Sequence, residues 1–289
     1  MSKYSMTKIN PRRLGRSHIK YLIILLPLAL FMLLPIVYII NTAFKPIDEL
    51  YAFPPRFFVL KPTLSNFTRL FRQTSSFGIP FTRYLFNSIV ITILGVTLTV
   101  IITSLSAYGL SKLKFKAKNT LFRINQLALM FVPVAVTIPR FLIIVKLGVY
   151  NTPVAHILPL LAMPVGLFLV KQFVDQVPNS LLESARIDGA NDYQIYWHIV
   201  LPIIKPALAT VAILAFQSFW NNETTSSLYI SDDSQKTVAF FLTSITSGAG
   251  IAGAGMGAAA SLIMFLPNII IFIIIQNKVM DTMAHSGIK

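Results

Sequence analysis

Six apolar runs alternate along the chain with polar stretches that carry most of its charge, and they cover about residues 21–44, 85–110, 121–146, 154–170, 203–220 and 256–276. Roughly 17 to 25 apolar residues suffice to cross a bilayer as a helix, so each run predicts a transmembrane span. Pro27 and Pro35 in the first predict a kink, tolerable where neighbouring helices satisfy the freed carbonyls, and the third run also holds Pro133 and Pro139 and the sixth Pro267. The third and fourth runs are joined by the short turn Gly148 to Pro153 and read as a helical hairpin.

The polar interruption from Pro178 to Pro206 differs from the other connections. Ser180 followed by Glu183 has capping-box spacing and predicts a short helix just after Pro178, with Leu181, Leu182 and Ala185 as an apolar face for a partner's groove and Glu183, Arg186 and Asp188 hydrated. Gly189 ends that helix as a left-handed cap or at a close backbone approach. A second segment with Tyr193, Ile195, Tyr196, Trp197 and Ile199 reads as amphipathic and suited to a membrane surface, and Leu201-Pro202 leads into the fifth span.

Composition places the chain in a bilayer: 55% of residues are hydrophobic and 12% charged, against about 25% charged in soluble domains. The net charge of +15 sits mainly at the ends of apolar runs, so it is a topology signal rather than a nucleic-acid footprint. Lys3, Lys8, Arg12, Arg13, Arg16 and Lys20 hold residues 1–20 in the cytoplasm, and Lys112, Lys114, Lys116 and Lys118 hold the end of the second span there. Six spans with both termini cytoplasmic follow, the tail occupying residues 278–289 and the membrane domain residues 21–277. Residues 45–83 then lie outside, although Lys45, Arg56, Lys61, Arg69, Arg72 and Arg83 run against the charge rule and only the span count carries that assignment. Residues 221–255 lie outside too, as a flexible glycine-rich loop.

Little in the sequence points to catalysis. There is no cysteine, and His18, His156, His198 and His285 are scattered, so no metal site is expected. Gly248-Ala-Gly250-Ile-Ala-Gly253 matches a dinucleotide fingerprint formally but precedes a membrane span instead of lying in a βαβ unit, and Gly253 with Gly257 fits close helix packing. No phosphate-binding loop is present, so no cofactor is expected on the chain itself, and ATP with its magnesium would have to sit on other subunits. Asp, Glu and Lys are absent from the interior of the spans, which argues against ion-coupled transport. Polar residues such as Asn87, Ser88, Ser104 and Asn268 read mainly as interhelical hydrogen-bonding groups. Gln217, Ser218, Trp220 and Asn221, at the outer end of the fifth span, are the candidates for a substrate path, with Trp220 equally readable as an interfacial anchor.

The spacing Glu183, Ser184, Ala185, Asp188, Gly189, then Ile199 and Leu201-Pro202, resembles the EAA loop of permease subunits in bacterial ATP-binding-cassette (ABC) importers, with Ser184 where alanine is usual. Asn41 to Lys45, Asn87-Ser88, Ala107 to Leu110, Leu147 to Thr152 and Trp220-Asn221 extend the resemblance to the smaller membrane subunit of maltose-type carbohydrate importers, with Asn222 then Glu223 where an acid directly follows Trp-Asn. The resemblance implies an all-α type I importer permease of six spans in the bacterial inner membrane. It implies a homologous second permease, two ATPase subunits, an external solute-binding protein, and a sugar or oligosaccharide as cargo. Residues 180–190 would transmit closure of the ATPases. Half of an exporter or flippase, or a scaffold subunit of a membrane enzyme, are the alternatives.

Overall fold

The computed structural model describes residues 16–72, 78–248 and 250–286, and the described residues are predominantly helical. The basic residues up to Arg13, and the side chains from residue 275 onward, lie outside the described parts. Among the described residues three uninterrupted helices are long and apolar enough to cross a bilayer, in Tyr21–Phe44, Phe81–Lys112 and Gly253–Ile274, and there are six spans if three bent helix pairs each count as one.

The first span is α1 (Arg16–Phe44), continuous through Pro27 and Pro35. Short helices α2 (Ile47–Leu50) and α3 (Ser65–Arg72) organise the following connection. Buried Asn66 donates to the carbonyls of Ala43 (2.9 Å) and Lys45 (2.7 Å), satisfying groups that the end of α1 leaves open. Asn41 accepts from Val59 N–H at 3.0 Å, and Glu49 accepts from the N–H groups of Leu60 and Lys61, which hold its carboxyl below the usual range, Leu60 foremost.

Helix α4 (Phe81–Lys112) is the second span and the beam of the molecule. Its 32 residues, at about 1.5 Å each, give roughly 48 Å, more than a hydrocarbon core of about 30 Å. The third run, expected as one helix, is broken: α5 (Lys118–Ala128) and the stretch Pro133–Lys146, which contains α6 (Thr137–Lys146), meet at 112°. Pro133 holds Val132 extended, and the chain resumes through a 3₁₀ turn at Pro133–Val136. The fourth bends by 48° between α7 (Val154–Leu161) and α8 (Pro164–Asp175), where Ala162 and Met163 leave the helical region ahead of Pro164.

Helix α9 (Asn179–Ile187) is followed by a continuous stretch, Asp192–Ile203, made of α10 (Asp192–Ile195), a π-helical turn Tyr196–Val200 and α11 (Leu201–Ile203). The fifth span, α12 (Lys205–Trp220), departs from it by 79° at Ile204, just before Pro206. The connection after α12 is not the flexible loop expected: it contains α13 (Thr224–Tyr229) and α14 (Val238–Gly248), and α14 buries Val238, Phe241 and Ile245 against Tyr84 of α4 and Ala258 to Ala260 of α15 (Gly250–Ser286). Apolar side chains three and four residues apart here are core, which hydropathy averaged over a long window does not reveal.

Glycines mark where helices approach most closely. A β-carbon at Gly255 would lie 2.6 Å from Asn66 Oδ1, and one at Gly95 would lie 2.5 Å from the Phe219 ring, so α15 meets α3, and α4 meets α12, on glycine. Gly109, in the same helix as Gly95, has nothing within 4 Å. Gly95→Ala is therefore expected to destabilise the purified protein by about 1–3 kcal/mol through overpacking, while Gly109→Ala should be neutral or stabilising by up to about 1 kcal/mol. Thermal unfolding in detergent checks the pair, and equal effects would remove the packing account.

Candidate functional site: the coupling loop

Helix α9 starts earlier than its capping-box pattern suggests. Pro178 is extended and occupies the N-cap, so Ser180 lies inside the first turn and caps nothing; its carbonyl instead accepts from Ser184 Oγ at 2.8 Å. The box that forms is downstream, where Asn191 Oδ1 accepts from Gln194 N–H and Gln194 Oε1 accepts from Asn191 N–H, both at 2.9 Å.

Between the two helices the turn is fully specified. Gly189 has φ +85°, its N–H donates to Arg186 O at 3.1 Å, and Ala190 N–H donates to Ala185 O at 2.9 Å. This is a Schellman closure, with Ala185 and Ala190 on the same apolar cluster. Arg186 Nη2 adds an ion pair to Asp192 Oδ1 at 2.8 Å, which draws the guanidinium pKa upward. The hairpin of α9 and α10 is thereby one unit.

That unit is rooted in the bundle. Leu182, Ile195, Tyr196 and Val200 are buried with Ala107 and Tyr108 of α4, Val170 and Val174 of α8, and Val211 of α12. Tyr196 Oη and Ser104 Oγ share a buried hydrogen bond of 2.7 Å, and Lys112 Nζ donates to Val177 O at 2.6 Å and Asn179 Oδ1 at 3.0 Å. Lys171 pairs with Asp175 at 2.7 Å and lies 4.4 Å from the Phe122 ring centroid.

The expected division of faces on α9 is therefore corrected. Leu182 is 3% exposed and Ala185 packs on the same cluster, so their side of the helix is spent inside the chain rather than on a partner. The aromatic segment is likewise split, Ile195 and Tyr196 turning inward while Tyr193 and Trp197 remain exposed. What α9 presents outward is Leu181, Glu183, Ser184, Asp188 and above all Ile187, which is 86% exposed. Sequence reasoning passed over Ile187, although an isoleucine one place before Asp-Gly, with no helical neighbour of its own kind, was the signal. Ile199 and Leu201 are half-buried against the cluster and Pro202 is exposed.

The candidate path residues do not form one patch. Trp220 is 5% exposed and its indole N–H donates to Met264 O at 2.9 Å, so it ties α12 to α15 and is not an interfacial anchor. Gln217, Ser218 and Asn221 are exposed.

At the other end of α4, Asn87 donates to Ser234 O (2.8 Å) and Lys236 O (2.9 Å), and Ser88 Oγ accepts from Val238 N–H at 2.9 Å. These groups clamp a connection rather than another span. His156 is buried with Nδ1 on Thr225 Oγ1 and Nε2 on Gln235 O, and among the described residues no metal-binding cluster occurs.

Residues 95–277 match the family described as "Binding-protein-dependent transport system inner membrane component". The chain belongs to that family. As a permease it is 28% identical over 91% of its length to the inner membrane ABC transporter permease protein YcjP of Escherichia coli K12, covering 94% of that protein. It is 30% identical to the arabinooligosaccharides transport system permease protein AraQ of Bacillus subtilis 168, over 91% of this chain and 92% of that one. It is 32% identical to the polygalacturonan/rhamnogalacturonan transport system permease protein YtcP of the same organism, over 76% and 75%. In fold it matches a bacterial ABC transporter solved for import of the acidic polysaccharide alginate, with TM-score 0.80, 23% identity and coverage of 92% of this chain and 99% of that one. The permease is thus a multi-pass inner-membrane transport subunit of the ABC importer fold, and the exporter and scaffold alternatives fall away.

The left-handed backbone, not space, restricts position 189, since a β-carbon there meets nothing within 4 Å. An L residue in that conformation costs roughly 1–2 kcal/mol, asparagine least and β-branched residues most. Gly189→Asn should keep most ATP-driven uptake in proteoliposomes and Gly189→Val should lose most of it. Equal uptake by the two variants would refute the backbone account.

Proposed function

We propose that this permease imports a carbohydrate, and that ATPase closure reaches its spans through α9. Cargo is inferred from the relatives, whose names specify arabinooligosaccharides, polygalacturonan or lactose. The full transporter would hold a homologous second permease, two ATPases carrying ATP and magnesium, and a solute-binding protein on the outer side. Both termini would lie in the cytoplasm with the coupling loop, residues 45–80 and 221–248 lying opposite.

Ile187 carries the docking proposal. An isoleucine 86% exposed, on a helix whose opposite side is locked into the bundle, stabilises nothing within this chain. In a groove on an ATPase it would bury its side chain, a gain of about 1.5–3 kcal/mol. Glu183 and Asp188 flank it and suit basic groups around such a groove, while Ser184, carrying a small side chain, permits close approach. The rooted side of α9 then passes the displacement to α4, α8 and α12 as a body. Gln217, Ser218 and Asn221 remain the proposed contacts for cargo near the end of α12.

Ile187→Asp places a charge where the groove would be apolar. Membrane insertion and co-purification of the second permease should be unchanged, while ATPase recovered with the complex should fall tenfold or more, the loss typical of a central interface residue at about 2 kcal/mol or above. Full ATPase recovery with this variant would exclude Ile187 as the anchor.

A further inference from the structure

We propose that the hollow formed by the end of α12 with α14 and α15 is a subsite for an uncharged sugar ring, a reading that rests on carbohydrate import by this permease. Two cavities of about 300 Å³ each share Asn221, Leu242, Ser261 and Met264 and so adjoin. Glu223 and Thr243 line one of them and Asn268 the other. Their combined size falls in the range of about 300–1,000 Å³ usual for small-molecule sites.

Thr243 Oγ1 donates to Ala239 O and Asn268 Nδ2 to Met264 O, so neither carries the subsite. Asn222 is spent within the chain, its Oδ1 accepting from both Thr225 N–H and Thr225 Oγ1. Its two neighbours differ: among the described residues, no hydrogen bond or ion pair engages the side chains of Asn221, Glu223 or Ser261. An amide, a carboxylate and a hydroxyl therefore converge on one space without protein partners. A carboxylate accepts from two vicinal hydroxyls, the amide both donates and accepts, and Leu242 with Met264 supplies apolar surface for a ring's C–H face.

Charge sets the class of sugar. Among the described residues no Lys or Arg lines either cavity, and Glu223 is the charged group facing the ligand. A uronate would meet it with like charge and no cation to compensate, whereas a neutral ring gains charge-assisted hydrogen bonds. Glu223 thus selects against acidic oligosaccharides at this point of the path.

The assembled transporter, reconstituted in proteoliposomes with its binding protein, is tested with paired neutral and uronate di- and trisaccharides as probes. Wild type should take up neutral members in preference to uronates. Asn221→Ala and Ser261→Ala, small changes at partly exposed positions, should each raise the half-saturating concentration about fivefold, the loss expected for one hydrogen bond of about 1 kcal/mol. Glu223→Gln should shrink the preference for neutral sugars at least tenfold. Unchanged half-saturation and preference in all three variants, or wild-type preference for uronates, would overturn the subsite and leave carbohydrate import standing. Uptake of no member of either set would remove the carbohydrate reading and the subsite with it.

Discussion

The packed foot of α4 is the constraint on which the rest of the fold depends. Leu182 of the coupling helix, Tyr196 and Val200 of the π turn, Tyr108 of α4 and Val174 of α8 are buried together, so none can shift without opening a void or colliding with the others. The Ser104–Tyr196 hydrogen bond, inside that apolar cluster, fixes the register of the π turn against α4. Lys112, at the last residue of α4, closes the remaining gap by reaching the Val177 carbonyl. Each half of the hairpin is thereby bound to the spans, and the Schellman closure at Gly189 binds the halves to each other.

Helix α4 connects that joint to the opposite end of the molecule. Its first turns hold Ser234, Lys236 and Val238 through Asn87 and Ser88, and Val238 begins the helix that packs on α15. Asn151, at φ 59°, accepts from the N–H groups of Ser231 and Asp232 at 2.9 Å, adding the hairpin turn to the same assembly. Gly148 just before it closes α6 with the same pair of hydrogen bonds that Gly189 uses to close α9, from Gly148 to Val145 and from Val149 to Ile144. The order of this end explains why the stretch after α12 needs no long apolar run to be structured.

The features legible in the sequence were those written by local spacing. Glu183 to Gly189 and Leu201-Pro202 marked a short helix, a left-handed residue and an entry to a span, because those elements require those types at those separations. The positions of the apolar helices followed from hydropathy because the bilayer tests composition over about 20 residues, and six spans result only if each of the three bent pairs counts as one. Helix breaks did not follow, because a window average runs straight through Val132-Pro133 and Met163-Pro164, although the restriction before proline was visible at both. The capping box was ambiguous for a different reason: Ser180/Glu183 and Asn191/Gln194 both satisfy the pattern, and an extended Pro178 decides against the first by starting the helix early. Contacts such as Asn66 with Ala43, or Trp220 with Met264, join positions 23 and 44 residues apart and leave no trace in spacing.

The buried and half-buried ionisable groups among the described residues are structural braces. A carrier powered by protons or sodium needs titratable or coordinating groups that change partners at depth. Buried His156 has both ring nitrogens committed, to Thr225 and to the Gln235 carbonyl, and so serves as a brace between α7 and the 221–237 connection. Lys112 and Lys171 are committed to the coupling-loop joint, and Lys45 to the Arg56 carbonyl and the Tyr38 ring. In this structure His156, Lys45, Lys112 and Lys171 all hold protein partners, so each acts as a brace where a proton- or sodium-coupled carrier needs a group that changes partners.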